Sequence, residues 1–182
     1  MQHQELKLVL PSVGYRASFL TAYEECSSVE KNDWIYLGPD GNEDLIYNRF
    51  DEYVETLHER EHTAPSHFVR GRAYWALADN EIVGRIGLRF ELNDFLSNYG
   101  GHIGYIVRPS ARRRGVASAM LAQVLATPKA QHIGRLLLTC DEDNTASERV
   151  IRKNGGVYES MVYPVGRRLG KKRFWITVTE NP

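Results

Sequence analysis

Residues 105 to 117 read Tyr105-Ile106-Val107-Arg108-Pro109-Ser110-Ala111-Arg112-Arg113-Arg114-Gly115-Val116-Ala117. The aromatic and β-branched residues up to Val107 suit a strand, and Pro109 cannot donate to its ladder. From Gly115 onward, Val116, Ala117, Met120, Leu121, Val124 and Leu125 recur on one helical face until Pro128 ends it, predicting a helix over residues 115–127. A strand that delivers three arginines and a glycine to a helix start builds a cradle for anions. The first turn of a helix leaves N–H donors unpaired and carries partial positive charge, so a phosphate is held there by backbone dipoles. Gly115 and Ala117 let it approach closely. Arg112, Arg113 and Arg114 add charged donors of a kind that a pyrophosphate uses. Neither the G-x-G-x-x-G nor the G-x-x-x-x-G-K-[ST] spacing occurs, which disfavours a dinucleotide site or a nucleotide P-loop.

The flanking pattern fixes the fold class. Residues 6–10 read as a strand, the stretch after Pro11 as a helix to about residue 26, and residues 27–48, with Gly38, Pro39, Asp40 and Gly41, as loop. Phe50, Tyr53, Val54 and Leu57 predict a helix over residues 47–61 that Pro65 stops. Residues 73–78 and 82–91 alternate around a turn at Asp79-Asn80-Glu81 and read as an antiparallel hairpin, followed by a loop at 93–101 and a strand at 102–107. The apolar run 136–140 suits a central strand covered on both faces. Asn144 reads as the N-cap of a helix to Lys153 that Asn154-Gly155-Gly156 closes, and strands follow at 157–163 and 173–179. The chain is expected to be a mixed α/β (α+β) domain over residues 1–182. It should hold a largely antiparallel sheet of six to seven strands with about four helices, without the strict alternation of a doubly wound fold.

Composition excludes several classes. At 42% hydrophobic and 25% charged residues the chain is ordinary for a globular protein. No apolar run is long enough to span a membrane and the first residues are too polar for a secretory signal, so a cytoplasmic protein without membrane contact is expected. Cys26 and Cys140 give no disulfide framework, and Cys140 reads as a buried free thiol. The formal net charge of zero hides a division. Residues 1–100 hold 9 Lys/Arg against 17 Asp/Glu, net −8, and residues 101–182 hold 14 against 6, net +8. An anionic ligand suits the second half and a cationic one the first. Arg167, Arg168, Lys171, Lys172 and Arg173 around Gly170 read as an exposed hairpin turn. Overall neutrality and the lack of interleaved aromatics speak against nucleic acid.

Arg112-x-x-Gly115-x-Ala117 resembles the [QR]-x-x-G-x-[GA] signature of the GNAT superfamily of N-acetyltransferases, and the order of strand, signature, helix, buried strand, Asn-led helix and Gly turn matches that family over the whole chain. The resemblance implies the GNAT fold and an acetyl-CoA-dependent acetyltransferase without a metal. It also implies that Arg112, Arg113, Arg114, Gly115, Val116 and Ala117 face the pyrophosphate, that Tyr105, Ile106 and Val107 offer main-chain groups to pantetheine and thioester, and that Asn144 and Ser147 border the pantetheine arm. Many members carry a tyrosine where this chain has Ile151, which cannot protonate the departing thiolate. Either another residue, such as Tyr158 or Tyr163, then supplies the acid, or solvent and the helix environment support the thiolate unaided, and Glu91, His102 and Glu159 are candidate bases for the amine. The acceptor is expected to be a small-molecule or peptide amine, and a homodimer is compatible with the sequence.

Two other classes stay open at this point. An acyl-CoA-binding sensor would keep the cradle and turn nothing over. His58-Glu59-Arg60-Glu61-His62 matches the H-E-x-x-H pattern of zinc peptidases, although a third protein ligand at a recognised spacing is missing.

Overall fold

Alternating side chains along residues 71–89 fold into the chain's longest hairpin, β2 (Gly71–Ala78) against β3 (Glu81–Arg89). At its turn Asp79 and Asn80 both adopt positive φ, 51° and 62°, a tight-hairpin geometry that Asp and Asn tolerate well. β1 (Lys7–Val9) joins β2 and β4 (Ile103–Val107) joins β3, giving a sheet of order β1-β2-β3-β4. A second sheet runs β5 (Arg135–Asp141), β7 (Lys171–Thr177), β6 (Val157–Val162). All pairings among the described residues are antiparallel. The seven strands foreseen in the sequence are present, divided into two sheets that meet at β4 and β5. This computed structural model describes residues 6–36, 42–166 and 168–179; the expectations for Gly38, Pro39, Asp40, Gly41 and Arg167 lie outside the described residues.

The period of two in β2 sends its side chains into two cores. Ala73, Trp75 and Leu77 pack with α1 (Arg16–Glu24), α2 (Ser28–Ile35), α3 (Glu43–Tyr47) and α4 (Phe50–Glu59). Phe19 of α1 stands at the centre of that cluster, its ring 5.1–6.3 Å from those of Tyr23, Trp34, Phe50, Tyr53 and Trp75. Removing so buried a ring costs about 3–5 kcal/mol. Tyr74 and Ala76 point the other way, to a core shared with α5 (Val116–Leu125), α7 (Thr145–Lys153) and the apolar side of β5. Gly84 lets α5 come close, since a Cβ there would sit 2.9 Å from Met120 Sδ.

The helical content exceeds the expectation. Residues 27–48 hold α2 and α3 rather than loop alone, and the reason is capping chemistry that outweighs the weak apolar periodicity. The Ser27 hydroxyl accepts from Glu30 N while Glu30 accepts from Ser27 N, a capping box. Asn42 Oδ1 accepts from Leu45 N at the start of α3. The helix expected over 47–61 begins at Phe50 and ends at Glu59. Pro128 ends no helix: α5 stops at Leu125, and Pro128 opens α6 (Pro128–Ile133), where a missing N–H costs nothing and Thr127 supplies the cap. Residues 96–100 form a short π-helical turn within the expected loop. β5 is covered as expected, with Leu136, Leu137 and Leu138 all buried. No helix among the described residues is long and apolar enough to cross a membrane.

Candidate active site

β4 and β5 are joined at one end only. His102 N donates to Leu137 O at 2.7 Å, and Leu137 N donates to His102 Nδ1 at 2.9 Å. His102 is 7% exposed, and burial, helped by the nearby Arg89 cation, lowers its pKa to about 4. An imidazole whose Nδ1 already accepts an amide proton is a clasp between two strands. Beyond it the strands belong to separate sheets, and a cleft of about 500 Å³ opens, with Gly104 and Tyr105 on one wall and Thr139, Cys140 and Asp141 on the other.

At the far end of β4 the chain turns into α5. Gly115 adopts φ +83°, and a Cβ placed there would meet nothing within 4 Å. The first helical bond is Ala119 N to Gly115 O, so the amides of Gly115, Val116 and Ala117 have no acceptor among the described residues, the orphan donors of a helix start. The side chains of Arg113 and Arg114 are exposed and carry no ion pair among the described residues. An open turn with free donors and two free cations fits a pyrophosphate. Arg112 behaves differently from its two neighbours: its Nε donates to Val107 O at 3.1 Å and its Nη2 meets Glu30 Oε1 at 2.5 Å. Arg108 pairs with Glu25 at 2.6 Å, and Ser110 N donates to the same carboxylate. The Arg108 hydrogen bond holds the Glu25 pKa down at about 2. Two acids of the first half of the chain therefore brace the basic loop of the second.

The Tyr105 hydroxyl lies 2.7 Å from Ser147 Oγ, and burial pushes its pKa up to about 12. Asn144 caps α7 by accepting from Ser147 N at 2.9 Å, and both residues line the cleft. Cys140 also lines it, its thiol raised to about 11 by burial. Ile151 is fully buried in the core. Glu91 is exposed and pairs with Arg70 at 3.3 Å. Tyr158, 44% exposed, packs edge-on to Phe174, and Tyr163 is more exposed still. Glu159 accepts from Trp175 Nε1 on the second sheet. None of these four is part of the cleft lining.

The titratable groups that do line it include Asp33, His67, Arg85 and Arg89, which the sequence analysis did not single out. Arg85 and Arg89 lie on the face of β3 opposite Ile86 and Leu88. The available signal was Arg-x-Gly-x-Arg in a strand whose other face is apolar, followed by a chain long enough to cover both faces. The acids of α4 do not reach the cleft: Asp51, Glu52 and Glu55 are exposed, and Leu57 is the α4 residue in its lining. The charge division therefore does not make the acceptor side of the cleft acidic.

H-E-x-x-H does not form a metal site. α4 ends at Glu59, before His62, and His58 Nε2 donates to Pro11 O at 2.8 Å. No group of three His, Cys, Asp or Glu among the described residues could hold a metal ion.

The profile of the Acetyltransferase (GNAT) family matches residues 27–156, and the chain belongs to that family. No curated protein matches by sequence. Among solved structures, the fold is similar to the microcin C7 self-immunity acetyltransferase MccE in complex with acetyl-CoA and AMP (TM-score 0.65, 13% identity, 97% of this chain and 94% of that one). It is also similar to Mycobacterium smegmatis RimJ in complex with CoA-disulfide (TM-score 0.66, 19% identity, 94% and 81%). The Vibrio cholerae spermidine/spermine N-acetyltransferase SpeG aligns at TM-score 0.59 and 16% identity over 95% of both chains.

Proposed function

We propose that the protein transfers an acetyl group from acetyl-CoA to a primary amine by direct attack within a ternary complex, in one domain spanning residues 1–182. The observation that carries this reading is the arrangement along β4: a clasp at His102, an open cleft beside Tyr105, and free amides at Gly115, Val116 and Ala117 where the chain enters α5. Acetyl-CoA, when bound, supplies a thioester whose carbonyl carbon forms the new C–N bond as its C–S bond breaks. The protein's own groups hold and orient. The three amides, with Arg113 and Arg114, hold the pyrophosphate. The open edge of β4 at Tyr105 offers main-chain groups to the pantetheine arm; Ile106 pairs with Arg85 and turns its own main-chain groups to β3, and the Val107 carbonyl is already occupied by Arg112. Asn144 and Ser147 border the same arm.

Direct attack is supported by Cys140. A thiol with a pKa of about 11 is protonated at neutral pH and a poor nucleophile. Of the hydroxyls that line the cleft, the phenol of Tyr105 on β4 is the one assigned to a departing thiolate. With its pKa at about 12, against about 8.5 for an ordinary thiol, full proton transfer would run uphill by about 3.5 units. Tyr105 therefore stabilises the thiolate as a hydrogen-bond donor, and solvent supplies the proton. Asp33 and His67, on the cleft wall, take the place of Glu91, His102 and Glu159 as acceptors for the amine proton, directly or through water.

The test is Gly115→Glu, which puts bulk and negative charge into the cradle and should abolish acetyl-CoA binding in a calorimetric titration; unchanged affinity would remove the reading. Thiol release against a panel of amines tests turnover, and binding without release from any amine would leave an acyl-CoA sensor.

A further inference from the structure

Arg85 is a buried cation without a counterion. It is 5% exposed, its Nε donates to Trp34 O at 3.1 Å, and its Nη1 has no partner. Among the described residues it forms no ion pair. Asp33, also on the cleft wall, acts on it only through space, and burial lowers its pKa, so the surroundings disfavour the charge they contain. Arg89 lies four residues on, on the same face of β3, its Nη1 donating to Gly101 O at 3.0 Å and likewise without a carboxylate. Both arginines line the cleft.

The fold makes room for this pair. Gly87 separates them, and a Cβ there would lie 2.2 Å from the Tyr36 hydroxyl, so only glycine admits the Tyr36 ring. That ring stands 4.5 Å from the Arg85 guanidinium and 5.6 Å from that of Arg89. Tyr36 closes α2 at φ 64°, a left-handed conformation uncommon for a tyrosine. An aromatic spacer fixes the two guanidinium groups side by side and leaves donors unspent. A guanidinium kept buried and unpaired is costly unless something anionic joins it, and its fork of donors matches carboxylate and phosphoryl oxygens.

Resting on the acetyl-transfer reading, we infer that the acceptor is an amine that also carries an oxyanion, a carboxylate or a phosphoryl group, which Arg85 and Arg89 hold at the β3 wall while the amine faces Tyr105. The acceptor class is thus zwitterionic, distinct from a polyamine or any other acceptor that is cationic throughout. Arg85 and Arg89 set specificity, and the bonds made and broken remain those described above.

The experiment has two readouts on the full-length protein. In protein saturated with CoA, so that the amide cradle is filled, inorganic phosphate and acetate are titrated separately while the melting temperature is followed. At least one should give a saturable rise that is lost in Arg85→Gln and reduced in Arg89→Gln; which anion does so distinguishes phosphoryl from carboxylate. Thiol release is then compared within matched pairs, an α-amino acid against its amide and O-phosphoethanolamine against ethanolamine. The anionic member of at least one pair should have a kcat/KM higher by about tenfold or more, as expected for a hydrogen-bonded charge, and Arg85→Gln should erase the difference. Retained acetyl-CoA affinity certifies that each variant is folded, and Arg89→Gln, at a less buried position, serves if Arg85→Gln is not. Acetyl-CoA binding with no anion effect, or with neutral amines and polyamines preferred, overturns this inference alone. Failure to bind acetyl-CoA overturns the reading beneath it.

Discussion

The Tyr105 hydroxyl of β4 and the Ser147 hydroxyl of α7 lie 2.7 Å apart, joining the strand and the helix that border the cleft. If that phenol steadies the leaving thiolate, Tyr105→Phe should lower kcat about tenfold to a hundredfold, the worth of one hydrogen bond to a charged group, while acetyl-CoA affinity is retained. A fall in affinity with kcat unchanged would make Tyr105 a packing residue. Its pKa of about 12 also means that any inflection in the pH–rate profile between pH 6 and 10 belongs to another group and should persist in the variant.

Arg113 and Arg114 are exposed, so their attraction for a pyrophosphate should be screened as the Debye length falls from about 10 Å at 0.1 M to about 3 Å at 1 M salt. The KM for acetyl-CoA should rise with ionic strength. In the double variant Arg113→Gln, Arg114→Gln it should start higher and rise less. An equal salt response in both proteins would assign the effect elsewhere.

His102 gives the fold an acid-sensitive joint. Its pKa falls from 6.5 in the unfolded chain to about 4 in the folded one, so the folded state binds fewer protons between those values. The stability of the neutral clasp is complete above pH 6.5, declines as the pH falls, and is lost below pH 4, an effect of about 3 kcal/mol in all. Denaturant midpoints measured from pH 7.5 to 4 should show this slope. His102→Asn, whose side-chain oxygen can still accept from Leu137 N, should flatten it.

Gly87→Ala tests the Tyr36 seat without touching the arginines. The added methyl cannot coexist with the ring in its present place, and overpacking of this kind costs about 1–3 kcal/mol. Kinetics should show a raised KM for the acceptor with the KM for acetyl-CoA unmoved. A change in the acetyl-CoA term would mean that the distortion spreads along α2 to Glu30 or across β3 to β4.

The sequence shows those parts of the molecule whose physics is local. The Gly115 helix start, the Asp79-Asn80 turn and the Asn144 cap depend on a few neighbouring residues, and each stands where its pattern places it. α2 and α3 were legible in principle through Ser27-x-x-Glu30 and Asn42, but their apolar spacing is too weak to advertise helices. The acceptor side was hidden for a different reason. Whether Arg85 meets water or the helices packed over the sheet is decided by chain distant in sequence, and alternation along β3 is the same in either case. The candidate acids and bases Tyr158, Glu159 and Glu91 lie outside the cleft lining, a matter of tertiary placement that no local pattern carries.

α2 has Glu30 near one end, against Arg112 of the basic loop, and Tyr36 at the other, between Arg85 and Arg89. Eight residues of helix amount to a rigid rod of about 12 Å, so the basic loop and the Arg85–Arg89 pair share a single beam. A displacement of α2 at either end would therefore be carried to the other, from the basic loop at Arg112 to the arginines of β3.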